Sequence, residues 1–202
     1  MSTAKSFDET PPKMTPPEFL AWERGQVERH EYTGGKVYLQ SGASRQHNRI
    51  VSNLIRRLDE QLEDRPCDVY ANDLRLWIDA AQSYYYPDVL AICGEAEWAD
   101  DTFDTLVNPQ LVVEVGSKST RGVDDIIKRR HYRTVPSIRE YVYIDQYAIA
   151  VERLRKLDDE HWESVLFESM DQTIELTSIE CQLSVADIYR RVEFNHPEPP
   201  SS

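Results

Sequence analysis

Positive charge is in short supply in this 202-residue chain: 23 lysines and arginines face 36 aspartates and glutamates, a formal net charge of −13. The deficit argues against a surface that holds nucleic acid by bulk attraction. It leaves room for a local basic groove, and it says nothing against a metal, because magnesium-dependent enzymes gather acids around their sites. Long hydrophobic runs are also missing. No apolar stretch approaches the roughly 20 residues that a membrane span needs. Met1 to Lys13 is polar and proline-rich, without the apolar core of a signal peptide. Cysteine is scarce: Cys67, Cys93 and Cys181 are odd in number, far apart in sequence and in no metal-knuckle spacing. That usage fits a reducing cytoplasm.

What remains is ordinary for a soluble globular protein, with 40% apolar and 29% charged residues. The length suits one domain, over 14–195, between disordered tails at 1–13 and 196–202. Thr15-Pro16-Pro17-Glu18 is a capping box that opens a short helix ending near Gly25. Gly34-Gly35 turns a hairpin over 31–39. Ser44 caps a long helix whose Ile50, Val51, Leu54, Ile55, Leu58 and Leu62 recur at helical spacing. Two strands are expected near 67–78 and 84–93, then an acidic loop over 94–109 and a strand over 111–115. A helix over 124–134 follows, then β-rich sequence and a last short helix capped by Ser184. This order predicts a mixed sheet with helices packed on it, α/β or α+β.

Two acids interrupt otherwise apolar strands: Asp88 in Tyr86-Pro87-Asp88-Val89-Leu90-Ala91, and Glu114 in Leu111-Val112-Val113-Glu114-Val115. Strands this apolar belong to sheets covered on both faces. An ionised carboxylate there costs several kcal/mol unless it is paired or binds a metal. If the two strands are antiparallel neighbours, Asp88 and Glu114 reach the same end of the sheet and can share a cation. The next helix puts Asp124, Lys128 and Tyr132 on one face. Lys128 there suits orienting a water or stabilising charge on a phosphate. Glu31, His47 and Asp73 are auxiliary candidates. Each residue also has a plainer reading: Asp88 as a turn residue after proline, Glu114 as an ion-paired acid, Lys128 as a solvated partner of Asp124, His47 as a capping residue. The Tyr84-Tyr85-Tyr86 run reads as sheet packing.

The ordered set of short matches resembles the Uma2 family of restriction-endonuclease-like proteins, within the PD-(D/E)XK nuclease superfamily. The matching stretches include Phe19-Leu20-Ala21-Trp22-Glu23, Arg29-His30-Glu31-Tyr32, Tyr86-Pro87-Asp88-Val89, Val113-Glu114-Val115 and Pro136-Ser137-Ile138-Arg139-Glu140-Tyr141. The resemblance implies a restriction-endonuclease-like mixed core sheet of about four strands flanked by helices. It implies Mg²⁺ or Mn²⁺ held by Asp88 and Glu114, with the Val115 carbonyl as a third ligand, and Asp88, Glu114 and Lys128 as catalytic residues. The superfamily places a lysine two residues after the acid; here that position is Gly116. Lys128, with Lys118 as a rival, takes its place.

The function so implied is a metal-dependent endonuclease acting on DNA, with RNA as the lesser choice. Arg49, Arg56 or Lys118 are the expected phosphate contacts, and a homodimer suits cutting both strands. Two alternatives stand beside it: a nuclease-fold binding or assembly module without catalysis, and a metal-dependent hydrolase of another phosphorylated substrate.

Overall fold

A computed structural model describes residues 13–40, 42–116 and 123–194, without the side chains of 123–125. Apart from Lys13, the expected tails lie outside the described residues, as does Lys118.

Helix α1 (Pro16–Glu23) begins with the predicted capping box: the Thr15 N–H and hydroxyl both donate to Glu18 Oε2, at 2.8 and 2.7 Å. β1 (His30–Thr33) and β2 (Lys36–Leu39) form the hairpin, with Gly34 and Gly35 both at positive φ. Helix α2 (Arg45–Leu62) is the long amphipathic one. β3 (Cys67–Ala71), β4 (Arg75–Ile78), β5 (Ser83–Tyr85) and β6 (Val89–Cys93) follow, then β7 (Thr105–Leu106) and β8 (Leu111–Gly116). After α3 (Val123–Tyr132) come β9 (Glu140–Asp145), β10 (Val151–Lys156), β11 (Trp162–Phe167), β12 (Thr173–Leu176) and β13 (Cys181–Ser184). Helix α4 (Val185–Ile188) closes the series.

The strands form a six-stranded mixed sheet, order β11-β10-β9-β8-β6-β3, a five-stranded sheet, order β2-β1-β5-β4-β7, and the hairpin β12-β13. The core sheet is therefore larger than the four strands expected, and the second sheet was not foreseen. The stretches 67–78 and 84–93 are not two strands but four, each stretch supplying one strand to each large sheet. Asn72, at φ +52, turns the chain between β3 and β4, and Pro87 breaks it between β5 and β6. The acidic loop over 94–109 contains β7, which pairs parallel with β4.

Aliphatic side chains of α2 pack on Val89, Ala91, Val113, Val115 and Ile144 from one face of the six-stranded sheet. The other face, with Leu90, Val112, Tyr141 and Tyr143, packs on Tyr132 of α3 and on Leu76, Ile78 and Tyr85 of the five-stranded sheet. Tyr84, Tyr85 and Tyr86 are all buried, as sheet packing requires.

The cysteines need correction. Cys67 and Cys93 are far apart in sequence but directly opposed across β3 and β6, and they form a disulfide; Cys181 is free and buried. Antiparallel register, not chain distance, brings the two thiols together.

Candidate active site

Asp88 stands one residue before β6, and Glu114 lies near the end of β8. The two strands are antiparallel, with Val89 opposite Val113, so both acids come to one end of the six-stranded sheet. Alternation along β8 sends Val113 and Val115 toward α2, and sends Val112 and Glu114 toward α3.

Asp88 is 7% exposed. Its Oδ2 accepts the Val115 N–H at 2.7 Å, and its Oδ1 lies 3.0 Å from His47 Nε2. The other ring nitrogen of His47 is 3.1 Å from the Val115 carbonyl oxygen. Ser44 sets this up: its hydroxyl caps α2 by accepting the His47 N–H at 3.0 Å and donates to Gln146. Burial alone would lower the His47 pKa. The Asp88 carboxylate outweighs it, aided by the Val115 carbonyl and Glu114, and the pKa is raised. With an oxygen acceptor at each ring nitrogen, only the imidazolium satisfies both.

Glu114 faces two residues one turn apart on α3. Its Oε1 accepts the Tyr132 hydroxyl at 2.5 Å and lies 3.9 Å from Lys128 Nζ. Lys128 in turn donates to Glu31 Oε1 at 2.6 Å, and the Tyr86 N–H donates to the same oxygen at 3.3 Å. The structure thus gathers Glu31, His47, Asp88, Glu114, Lys128 and Tyr132. Burial pushes the Glu114 pKa up to about 8; Lys128 opposes the rise, while Asp88 and Glu31 add to it.

Other candidates lie elsewhere. Asp73 is 73% exposed and pairs with Arg29 on the cavity rim, outside the buried cluster. Arg56 is tied to Glu60 at 2.6 Å. The side chain of Asp124 is outside the described residues. Sequence reasoning passed over Ser44, Tyr86 and Gln146. A signal existed for Tyr86, which leads directly into Pro87-Asp88, and for Ser44 as a helix cap; nothing marked Gln146.

The cluster opens into a cavity of about 850 Å³ whose lining includes His47, Asp88, Glu114, Val115, Gly116 and Lys128. Gly116, the position where a lysine was expected, is tightly packed. A Cβ there would lie 2.6 Å from Tyr143 Oη and 3.2 Å from its ring, so no side chain fits without displacing Tyr143.

The donors fit a hard divalent cation: two carboxylates and a peptide oxygen, with no sulfur. Among the described residues, no three His, Cys, Asp or Glu side chains converge as a ready ligand set. A cation here would depend on Asp88, Glu114, the Val115 carbonyl and retained waters, the habit of Mg²⁺. The raised Glu114 pKa, with Asp88 and Glu31 among its causes, marks a spot where added positive charge relieves repulsion.

The fold is α+β and restriction-endonuclease-like. A crystal structure from Anabaena variabilis ATCC 29413, described as "a putative nuclease", superposes with a TM-score of 0.70 at 17% identity, over 87% of this chain and 97% of that one. The chain belongs to the Uma2 family, described as "Putative restriction endonuclease", which matches residues 16–187. Two Synechocystis (PCC 6803) relatives are each described as an uncharacterized protein. The protein sll1609 is 37% identical over 81% of this chain and 91% of its own length. The protein slr1290 is 33% identical over 91% and 95%. Among the described residues, no helix is long and apolar enough to cross a membrane.

Proposed function

We propose that this protein is a metal-dependent endonuclease that hydrolyses phosphodiester bonds in DNA. One observation carries the reading: a buried Asp88 and a half-buried Glu114 come to one sheet end, beside a lysine 3.9 Å from Glu114, in an open cavity. The description of the Uma2 family and of the Anabaena neighbour supports it.

In this reading Asp88, Glu114 and the Val115 carbonyl hold Mg²⁺ or Mn²⁺. Such an ion supplies neutralising charge at the scissile phosphate and acidifies a water. The rest falls to the chain. Burial alone would lower the Lys128 pKa, but Glu114 and Glu31 raise it, so Lys128 stays an ammonium. It offers charge to the phosphate, not a base to the water. Glu31 holds that ammonium by the 2.6 Å bond. Tyr132 fixes one Glu114 oxygen, and Glu114 lines the cavity. His47 steadies Asp88 and orients the Val115 peptide. Cutting both strands calls for two such sites, so a homodimer belongs to the proposal.

Conversion of supercoiled plasmid to nicked and linear forms tests it. The wild type should cut with Mg²⁺ or Mn²⁺ and not with EDTA, and Asp88→Asn or Glu114→Gln should lose on the order of a thousandfold. A folded wild type inert on DNA and RNA with both metals, or acid variants that cut as well as it does, would sink the idea.

A second reading, a binding module without catalysis, draws on both Asp88 oxygens already being engaged within the protein. Calorimetric titration with Mn²⁺ separates the two. Heat that is lost in Glu114→Gln supports the enzyme, and no heat from the wild type supports the module.

A further inference from the structure

The charges on α2 run backwards for a helix arranged only for stability. Aligned peptide dipoles leave a helix positive at its start and negative at its end, so acids suit the first turn and bases the last. α2 has no acid in its first turn and no base in its last. It begins with Arg45 and Arg49 and ends among Asp59, Glu60, Glu63 and Asp64. The other helices follow the usual rule: Glu18 in the first turn of α1, Arg129 and Arg130 in the last of α3, Asp187 in the first of α4.

The reversed charges lie beside the active site. Ser44, His47 and Asn48 line the cavity, and the adjoining face of α2 presents Arg45 and Arg49, exposed and one turn apart. A second segment brings more. Arg191 stands with Arg45 and Arg49 around a shallow dent on the surface. Its neighbour Arg190 is exposed too, and the Arg190 carbonyl accepts from Asn53 of α2 at 2.9 Å, which ties this segment to the helix. Arg45 shares Glu193 at 3.2 Å. Among the described residues, Arg49, Arg190 and Arg191 have no ion-pair partner. Arg191 also holds φ +61, a conformation that suits glycine better than arginine. Three arginines around the dent against Glu193, with exposed Arg190 next to Arg191 in the chain, make a local reversal of sign in a chain of net charge −13. The opposite happens farther along α2, where Arg56 and Arg57 are bound to Glu60.

We propose that Arg45, Arg49, Arg190 and Arg191 form a track for the sugar-phosphate backbone of a nucleic-acid strand, leading one of its phosphates into the cavity. The inference rests on the nuclease reading and adds the surface that the substrate lies on. Guanidinium forks suit phosphate oxygens, and contacts of this kind fix position without reading sequence. The local positive end also resolves how so acidic a protein engages a polyanion.

The test is the double variant Arg49→Ala/Arg191→Gly. Both changes favour the fold: alanine is the better helix former, and glycine takes a positive φ without strain. Binding is read by fluorescence anisotropy with a labelled, phosphorothioate-protected DNA duplex and its single strand, across salt concentrations, with and without Mn²⁺. The double variant should bind on the order of a hundredfold more weakly at about 0.1 M salt, with a log–log salt slope smaller by about two. Its melting temperature should be no lower than that of the wild type. Wild-type affinity and slope in the double variant overturn the track alone and leave the nuclease reading standing. A wild type that binds neither nucleic acid in either buffer, or that prefers anionic lipid vesicles, overturns both.

Discussion

Both large sheets bury acids, and they treat them differently. At the five-stranded sheet, Glu23 is 4% exposed and accepts the Tyr86 hydroxyl at 2.9 Å and the His30 N–H at 2.8 Å. Asp104 there takes both Arg24 and Arg75, and the Arg24 guanidinium above all holds its carboxyl well below the usual range. Every charge in that network has an answering group. On the six-stranded sheet, Glu114 is half-buried beside Tyr132, Lys128, Asp88 and Glu31, shares one lysine with Glu31 among the described residues, and has its pKa driven up chiefly by burial. The difference teaches how to read a buried acid. Burial alone does not mark a site: Glu140 of the six-stranded sheet is fully buried and answered by the Ser178 N–H and hydroxyl, as Asp104 is answered by two arginines. An acid whose pKa is driven up, as at Glu114, is the one that suits a ligand.

The contrast can be broken most forcibly at Arg75. Arg75→Met removes the cation shared by Asp104 and Tyr86, and should cost about 3 kcal/mol by urea denaturation. The loss should shrink as pH falls below the ordinary aspartate value of 3.8. The Asp104 pKa is lowered by folding, so the stability it contributes is present above that value and disappears in acid. A loss that stays constant into acid would mean the pair is not the source.

Glu114→Gln probes the other sheet and should have the opposite sign. The folded Glu114 pKa is raised, so the folded state keeps a proton that the unfolded chain releases above its ordinary 4.5. Its contribution to stability is therefore highest below about 4.5 and declines as pH rises toward about 8. Thermal melts of the two proteins should coincide near the acid end and separate by a few kcal/mol, on the order set by such shifts, in favour of the variant at the basic end. Melts that stay parallel across that range would place Glu114 with the structural acids.

The smallest of these effects is steric. Gly116→Ala meets Tyr143 Oη at 2.6 Å and should cost roughly 1–3 kcal/mol. Tyr143→Phe in the same chain should recover part of that loss, since the nearest remaining ring atoms are at 3.2 and 3.3 Å. No recovery would mean that backbone strain, not the hydroxyl, resists the methyl group.

Local signals carried much of the fold into view. Ser44 and the apolar spacing after it mark α2, Gly34-Gly35 marks the first hairpin, and the apolar runs around Asp88 and Glu114 mark β6 and β8. The division into two large sheets was not visible. Nothing in the run from Cys67 to Ile78 says that Ala71 and Arg75 belong to different sheets, because alternation reports a strand and not its neighbours. The same limit hid the Cys67–Cys93 pairing, and the Arg75–Asp104 bond, which joins residues 29 apart. In the site, the acids stood out because apolar neighbours made them costly. Glu31 and His47 were legible only as auxiliary candidates, because their partners Lys128 and Asp88 lie far along the chain.

Those distances have a consequence for how the molecule comes into being. The bonds that assemble the site join residues 27 apart at Asp88 and Val115, 68 apart at His47 and Val115, and 97 apart at Glu31 and Lys128. Closing such loops is entropically slow, and no local folding event can substitute for it. A chain emerging from the ribosome has both acids before it has Lys128, and the ion pair to Glu31 forms only once α3 docks. A fragment that stops short of α3 keeps Glu31, His47, Asp88 and Glu114 but lacks Lys128 and Tyr132, and it also lacks β9, the strand beside β8, so the site and its sheet are completed together.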